Sequence, residues 1–543
     1  MKPKSFRPAL TSLLLAVSLA FPTPGFAAAP PDVTPKTSQK REAANKPAAR
    51  AMSEQRQAEH VLNRLGYGPR PGEIERVGQM GVSAWIERQL QPEKIDEAAM
   101  EARLEPLKAL RMSNEELFAN YPPLAMVRRI AERVKAGQPV PPRAREVYDR
   151  MAGMVPEMTE GGDPEKMREN MTPEQRRYFR EHSPQRIIAE MQQAKLLRAV
   201  HGERQLHEQM VDFWMNHFNV FAAKGADRWL TVGYERDAIR PRVFGKFRDL
   251  LLATARHPAM LFYLDNFQSA AEGSPGGRGL NENYARELME LHTLGVDGGY
   301  TEKDVREVAR CFTGWTMRRP RGDADYYFNR FMHDNGEKTV LGVRIPAGGG
   351  EGDGLKVIDI LVNHPSTARF LATKLARRFV SDHPPEALVE RVAGVYQRTG
   401  GDVREMLRAI FTAPEFVSDD AYRAKVKKPF ELAASALRAT DARFRFSPPL
   451  LQGIARLGEP LYLCEAPTGY PDTADAWIST GAMLNRVNFA GALAANQVPN
   501  VRANPERVRV PHLSDNTAAL VKQETDPAKV AALLLGSPEF QRR

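Results

Sequence analysis

Two stretches concentrate side chains that could hold a metal or move a proton. GLNENYARELMELHTLG, Gly279 to Gly295, carries two Asn, three Glu, an Arg and a His beside an apolar stripe. LHEQMVDFWMNHF, Leu206 to Phe218, ends on an adjacent Asn216 and His217. At helical spacing Tyr284, Leu288 and Leu291 share a face, and Glu287 falls between Leu291 and Leu294. Asn283 lies one turn earlier. Arg286 and Glu290, and Glu282 with Arg286, have the i,i+4 spacing of a solvated salt-bridge ladder. Glu287 enters the apolar side, where a carboxylate must be paired, protonated or bound to a cation. His217 sits among Leu206, Met210 and Phe213 in the same way. A plain reading makes both residues hydrogen-bonded members of the core. A sharper reading makes His217 and Glu287 a catalytic pair, with Asn216, Asp265, Asn266, Asn283, His333 and Asp334 as binding groups around one pocket. Imidazole with carboxylates suits general acid–base hydrolysis or a divalent metal.

Helices must position these groups. AEHVLNRLGYGPRPGEIERVGQMGVSAWIERQL, PPLAMVRRIAERVKAG and PQRIIAEMQQAKLLRAV all place apolar residues at three- and four-residue spacing. The expected fold is therefore all-α. The core should come from residues 204–218, 247–264, 280–318 and 424–495, with Trp214, Trp229, Trp315 and Trp477 inside it. Residues 138–184, punctuated by PVPP, GGDPEK and NMTPEQ, read as an exposed insertion. YYFNRFMHDNGEKTVLGV has two β-prone runs around Asn335-Gly336, which predicts one small β-hairpin near 326–343. HPAMLFYL at His257 echoes HPSTARFL at His364, and TAPEF at Thr412 echoes GSPEF at Gly536. Each reads as a helix start with Pro in its first turn.

Other motifs fail on chemistry. DGGYTEKD lacks the carboxylates of a calcium loop and reads instead as a turn into a Thr301 cap with Asp304 three residues on. GGGEGDG lacks the Lys and strand context of a phosphate loop, and no G-x-S-x-G elbow occurs. The net charge is +10, but residues 1–55 hold eight basic and three acidic side chains. The rest carries too little charge for a nucleic-acid groove. Lys2, Lys4 and Arg7, the apolar Leu10–Phe21 run and Gly25-Phe26-Ala27 predict a signal peptide over 1–27. A Pro/Ala/Lys/Thr/Ser linker over 28–55 and a helical body over 56–543 follow, with no transmembrane segment after cleavage. Export to the periplasm or beyond is expected. Cys311 and Cys464 are the only cysteines, and an oxidising compartment predicts that they pair.

MVDFWMNHFNVF, HPAMLFYLDN, NENYARELMELHTLGVDGGYTEKDVREVARCFTGW, HDNGEKTVLG and LLLGSPEFQ occur in this order. Together with EPLYLCEAPTGYPDTADAWISTGAMLNRVNFA they resemble the bacterial family called domain of unknown function 1800, from about His60 to the C-terminus. The resemblance implies a large, exported, mostly helical protein and assigns no catalytic residues. Family genes often neighbour those of a sulfatase-like exported family, which implies such a protein as a partner. Two function classes follow: a cell-envelope hydrolase using His217 and Glu287, or a non-catalytic protein that binds the sulfatase-like partner or an envelope polymer.

Overall fold

Helices open where short polar side chains can satisfy their free N–H groups. In the computed structural model, which describes residues 52–151, 171–274, 278–319 and 322–543, Ser53 caps the Glu54–Arg64 helix. The expected linker therefore gives way to helix at Glu54; its residues before Met52 and the leader lie outside the described residues. His257 and His364 cap their helices through Nδ1, which accepts from Ala259 N–H at 3.1 Å and Ser366 N–H at 3.2 Å. Pro258 and Pro365 occupy the first turns, where a missing N–H costs nothing. Ser537 starts the Pro538–Gln541 helix likewise, whereas the Thr412 echo makes only a turn closed by Phe416 N–H on the Ala413 carbonyl. Thr301 and Asp304 form a reciprocal capping box.

Two helices organise the core. Gln185–His201 buries Ile187, Ile188, Met191, Ala194, Leu196, Leu197, Ala199 and Val200 around more than one face. It packs against Pro429–Ala439, all eleven residues of which are buried. Ala433, Ala434, Ser435 and Ala436 keep that second helix narrow, so neighbouring backbone comes close. Arg438 Nε donates to the Gly68 carbonyl at 2.6 Å, and its Nη1 reaches the Ala199 and Val200 carbonyls. These last-turn carbonyls have no partner within their own helix. Glu73 balances the guanidinium at 2.8 Å. Trp214, Trp229, Trp315 and Trp477 are all buried. Residues 49–543 form one compact unit. The described flanks of the expected insertion are the Pro142–Met151 and Pro173–His182 helices.

The strands depart from the single hairpin expected. Strand β1 (Trp315–Met317) pairs antiparallel with β2 (Tyr326–Phe328), and β3 (Lys338–Val340) with β4 (Val343–Ile345). A third pair joins β5 (Arg443–Phe444) to β6 (Val501–Arg502). The β3–β4 turn is Leu341-Gly342, both at positive φ (49° and 78°). Asn335-Gly336 lies before β3 instead. Asp334 Oδ1 accepts from Gly336 N–H at 2.8 Å, and the Asn335 carbonyl accepts from Gly348 N–H. A local side-chain acceptor closed a loop where the dipeptide alone suggested a hairpin turn.

Candidate functional site

The GLNENYARELMELHTLG helix is not one regular helix. It is α-helical over Asn283–Glu287 and then widens into a π-helix over Leu288–Thr293. Leu294 N–H donates five residues back to Met289 at 2.7 Å. That wider turn breaks the 100° projection that had set Glu287 beside Leu291 and Leu294. Glu287 is half-buried and makes no hydrogen bond or ion pair among the described residues. Burial, then the neighbouring Glu290, raises its carboxyl. It does not line the cavity that holds His217, so the expected His217–Glu287 pair is not formed. Arg286 also chooses differently from the projected ladder. It makes a two-pronged pair with Glu302 at 2.7 and 2.8 Å and a looser one with Glu282 at 3.8 Å.

What the π-helix does deliver is a carbonyl. His292 sits near its end, and its C=O accepts from His217 Nε2–H at 3.1 Å. His217 Nδ1 thereby keeps its lone pair, and it is buried without a partner. Burial, with Lys374 and His292 nearby, pushes the His217 ring well below the ordinary imidazole range. Burial and Lys374 push His292 down to about 3. Both rings are neutral at physiological pH.

Three segments enclose the cavity around His217, which has a volume of about 290 Å³. The Gln205–His217 helix contributes Phe213, Asn216 and His217. The Pro365–Phe379 helix contributes Lys374, Arg377 and Arg378. Residues 468–473 form the third wall, and Lys428 stands at the start of Pro429–Ala439. Asn216 holds that third wall as a strand would. Its Oδ1 accepts from Tyr470 N–H at 2.7 Å, and its Nδ2 donates to the Tyr470 carbonyl at 2.9 Å. Gly469, at φ 71°, permits this approach; a Cβ there would stand 2.4 Å from the Asn216 carbonyl oxygen.

The four cations of the cleft fall into two classes. Arg378 is fully buried and paired with Glu431 at 2.9 Å, Asp212 at 3.2 Å and Asp472 at 3.4 Å. Lys428 meets Asp212 at 3.2 Å and Glu459 at 3.5 Å. Lys195 joins Asp212 at 2.6 Å, and Arg543 joins Glu431 at 3.1 Å. Burial opposes the Asp212 charge, but Lys195, Lys428 and Arg378 outweigh it and hold the carboxylate well below its usual range. These groups are a neutralised, load-carrying network behind the cleft. Lys374 and Arg377 differ. Among the described residues, Lys374 makes no ion pair or hydrogen bond, and its ammonium lies 5.3 Å from the centre of the Phe370 ring. Burial lowers it to about 8, with Asp472 opposing that shift and Arg377 adding to it. Arg377 donates its Nε–H to the Asp382 carbonyl at 3.1 Å, and its terminal nitrogens meet no acceptor among the described residues. The cleft therefore presents two cationic donors with no carboxylate in ion-pair contact among the described residues, although Asp472, itself paired with Arg378, lines the same cavity.

The other expected binding residues lie apart from this cleft. Asp265, at positive φ, pairs with Lys224 at 3.0 Å. Asn266 is buried and donates to the Phe312 and Trp315 carbonyls. Asn283 is exposed and reaches the Leu264 carbonyl at 3.4 Å. His333 gives Nδ1–H to the Thr313 carbonyl at 2.8 Å and faces Asp353 through Nε2 at 3.2 Å. Lys338 pairs with the same Asp353 at 2.6 Å. Asp334 is held by Arg310. Each has a structural partner. Among the described residues, no group of three His, Cys, Asp or Glu is placed to hold a metal ion.

The expected disulfide is also absent: Cys311 and Cys464 are free thiols. Cys311 ends the Glu302–Cys311 helix with no exposure, and burial pushes its thiol up to about 12. Cys464 lies in a loop tied to Asn219, whose Nδ2 donates to the Cys464 and Ala466 carbonyls. The Cys464 thiol faces the Ala466 carbonyl at 3.7 Å, so the two cysteines lie in different settings.

Sequence reading missed Lys374 and Arg377, although a signal existed. The Pro365–Phe379 helix carries Lys374, Arg377 and Arg378 at i, i+3 and i+4, and it contains no acidic residue. A cationic face without intrahelical partners must find its anions elsewhere. No curated protein and no solved structure matches the chain. The family model described as "Protein of unknown function (DUF1800)" matches residues 60–542. Nearly the whole chain is thus covered, and the protein belongs to the DUF1800 family.

Proposed function

We propose that the protein is exported and that its cleft binds a small ligand bearing an oxyanion: a carboxylate, sulfate or phosphate group. The observation that carries this reading is the pair of cations, Lys374 and Arg377, that line the cavity with no carboxylate in ion-pair contact among the described residues; the nearby Asp472 is committed to Arg378. Charged donors held in a partly buried cavity favour an anion more than exposed ones do, because less water screens them. Arg377 offers a planar edge for two parallel hydrogen bonds, and Lys374 offers a point charge. Thr468, Tyr470 and Thr473 supply further polar groups on the third wall. The leader-like N-terminus supports export, where acidic envelope polymers and their fragments are ligands of this chemistry.

Isothermal titration with sulfate and with small carboxylates tests the reading. Lys374→Met and Arg377→Gln should each weaken binding by about tenfold, the scale of one charge-assisted hydrogen bond. Affinity should fall as pH rises through about 8, because the Lys374 ammonium then loses its proton. Binding by neither variant nor wild type at low ionic strength would remove the reading. Hydrolysis finds less support, since the cleft that contains His217 lacks Glu287.

A further inference from the structure

We infer that Lys374 is a reactive amine that forms an imine with an oxo acid, the ligand's carboxylate being held by Arg377. This rests on the anion-binding reading of the same cleft and gives that cleft a substrate class. Four observations converge. Lys374 lines a cavity, and among the described residues no carboxylate lies in ion-pair contact with its ammonium. Arg377 is one helical turn further on the same face, with its terminal nitrogens uncommitted. Side chains three apart share a helix face, so one small ligand carrying a carbonyl next to a carboxylate is the class that would use both. The buried His217 lines the same cavity, and its Nδ1 lone pair has no partner among the described residues. Phe213 lines the cavity and the Phe370 ring lies 5.3 Å from the ammonium, so apolar surface borders the amine.

Burial brings Lys374 down to about 8, against the opposing charge of Asp472 and with a smaller contribution from Arg377. Near neutral pH it then holds about a hundredfold more free base than an ordinary lysine. Desolvation beside another cation is a recognised way to activate an amine as a nucleophile. The step balances without an external oxidant or reductant. The nitrogen lone pair attacks the carbonyl carbon, an N–C bond forms, and a proton from nitrogen ends on the former carbonyl oxygen. Loss of that hydroxyl with the second nitrogen proton releases one water and leaves C=N.

Glyoxylate, an aldehyde with an adjacent carboxylate, is the probe. The full chain is incubated with it near neutral pH, reduced with cyanoborohydride and mapped by peptide mass spectrometry, with and without sulfate. The expected result is a carboxymethyl adduct on Lys374 that forms about tenfold or more faster than on the other lysines. Sulfate should protect Lys374, and Arg377→Gln should slow its labelling. If sulfate binds but Lys374 is labelled no faster than surface lysines, the imine inference is overturned and the anion site stands. If sulfate does not bind and no selective adduct forms, both fall.

Discussion

At the scale of single residues, buried groups without partners carry the sharpest expectations. Asp227 begins the Asp227–Gly233 helix with no exposure, and both carboxylate oxygens lack a hydrogen bond. Burial raises its carboxyl well above the usual value; Lys224 opposes the shift and Asp265 adds to it. A carboxyl raised in the folded state contributes its stability fully below the unfolded pKa of about 3.9 and loses it as pH rises toward the folded value. Asp227→Asn should therefore leave melting unchanged near pH 3 to 4, roughly the unfolded carboxylate range. Toward neutral pH it should raise the melting temperature by a growing margin. A constant difference across pH, or a lower melting temperature at pH 7, would show that Asp227 is charged and satisfied. The cysteines give a second check: thiol titration of the denatured, unreduced protein should find both Cys311 and Cys464 free. Glu287 shows how a residue argument fails. Its position on an apolar face was a projection from regular helical geometry, and the chain departs from that geometry one residue later.

At the scale of elements, the cleft depends on how three segments are held. The 468–473 wall has no regular structure of its own and leans on two backbone hydrogen bonds to the Asn216 side chain. Gly469 makes that contact possible, since its φ is 71° and a Cβ would lie 2.4 Å from the Asn216 carbonyl oxygen. Gly469→Ala should cost about 1–3 kcal/mol from backbone strain alone. The clash should also move Tyr470 and Asp472 and weaken sulfate binding. Urea unfolding and anion titration of the same variant test both effects. Retained affinity with lowered stability would mean that the wall does not shape the site. The π-helix at Leu288–Thr293 belongs to the same scale. It brings the His292 carbonyl to His217 and so decides which nitrogen of His217 keeps its lone pair.

Across the whole molecule, a buried ionic network ties distant parts of the chain together behind the cleft. Lys195, Asp212, Arg378, Lys428, Glu431 and Arg543 meet there, from segments far apart in sequence. Replacing such a network with apolar groups can be neutral, but removing one member leaves its partners charged and buried. Arg378→Met should cost about 3–5 kcal/mol, read as a lower unfolding midpoint in urea. A silent variant would mean that Asp212 and Glu431 are satisfied by Lys195, Lys428 and Arg543 without it.

The all-α class, the capped starts at His257, Thr301, His364 and Ser537, and the burial of four tryptophans were legible because they depend on local spacing and local hydrogen bonds. The family was legible too, through long ordered motifs. His217 and Asn216 line one cavity; the sequence drew attention to them because a His on an apolar helix face must meet something specific. Their companions were decided only by tertiary structure. Periodicity assigns a residue to a face but says nothing about which other face it meets, so Asp265, Asn266, Asn283, His333 and Asp334 found separate partners, and Glu287 found none among the described residues. Lys374 and Arg377 stand in the cleft because packing places a helix without acidic residues against His217 and leaves two of its cations unmatched. Whether a charge is neutralised depends on the distance to groups hundreds of residues away, and local sequence does not contain that distance.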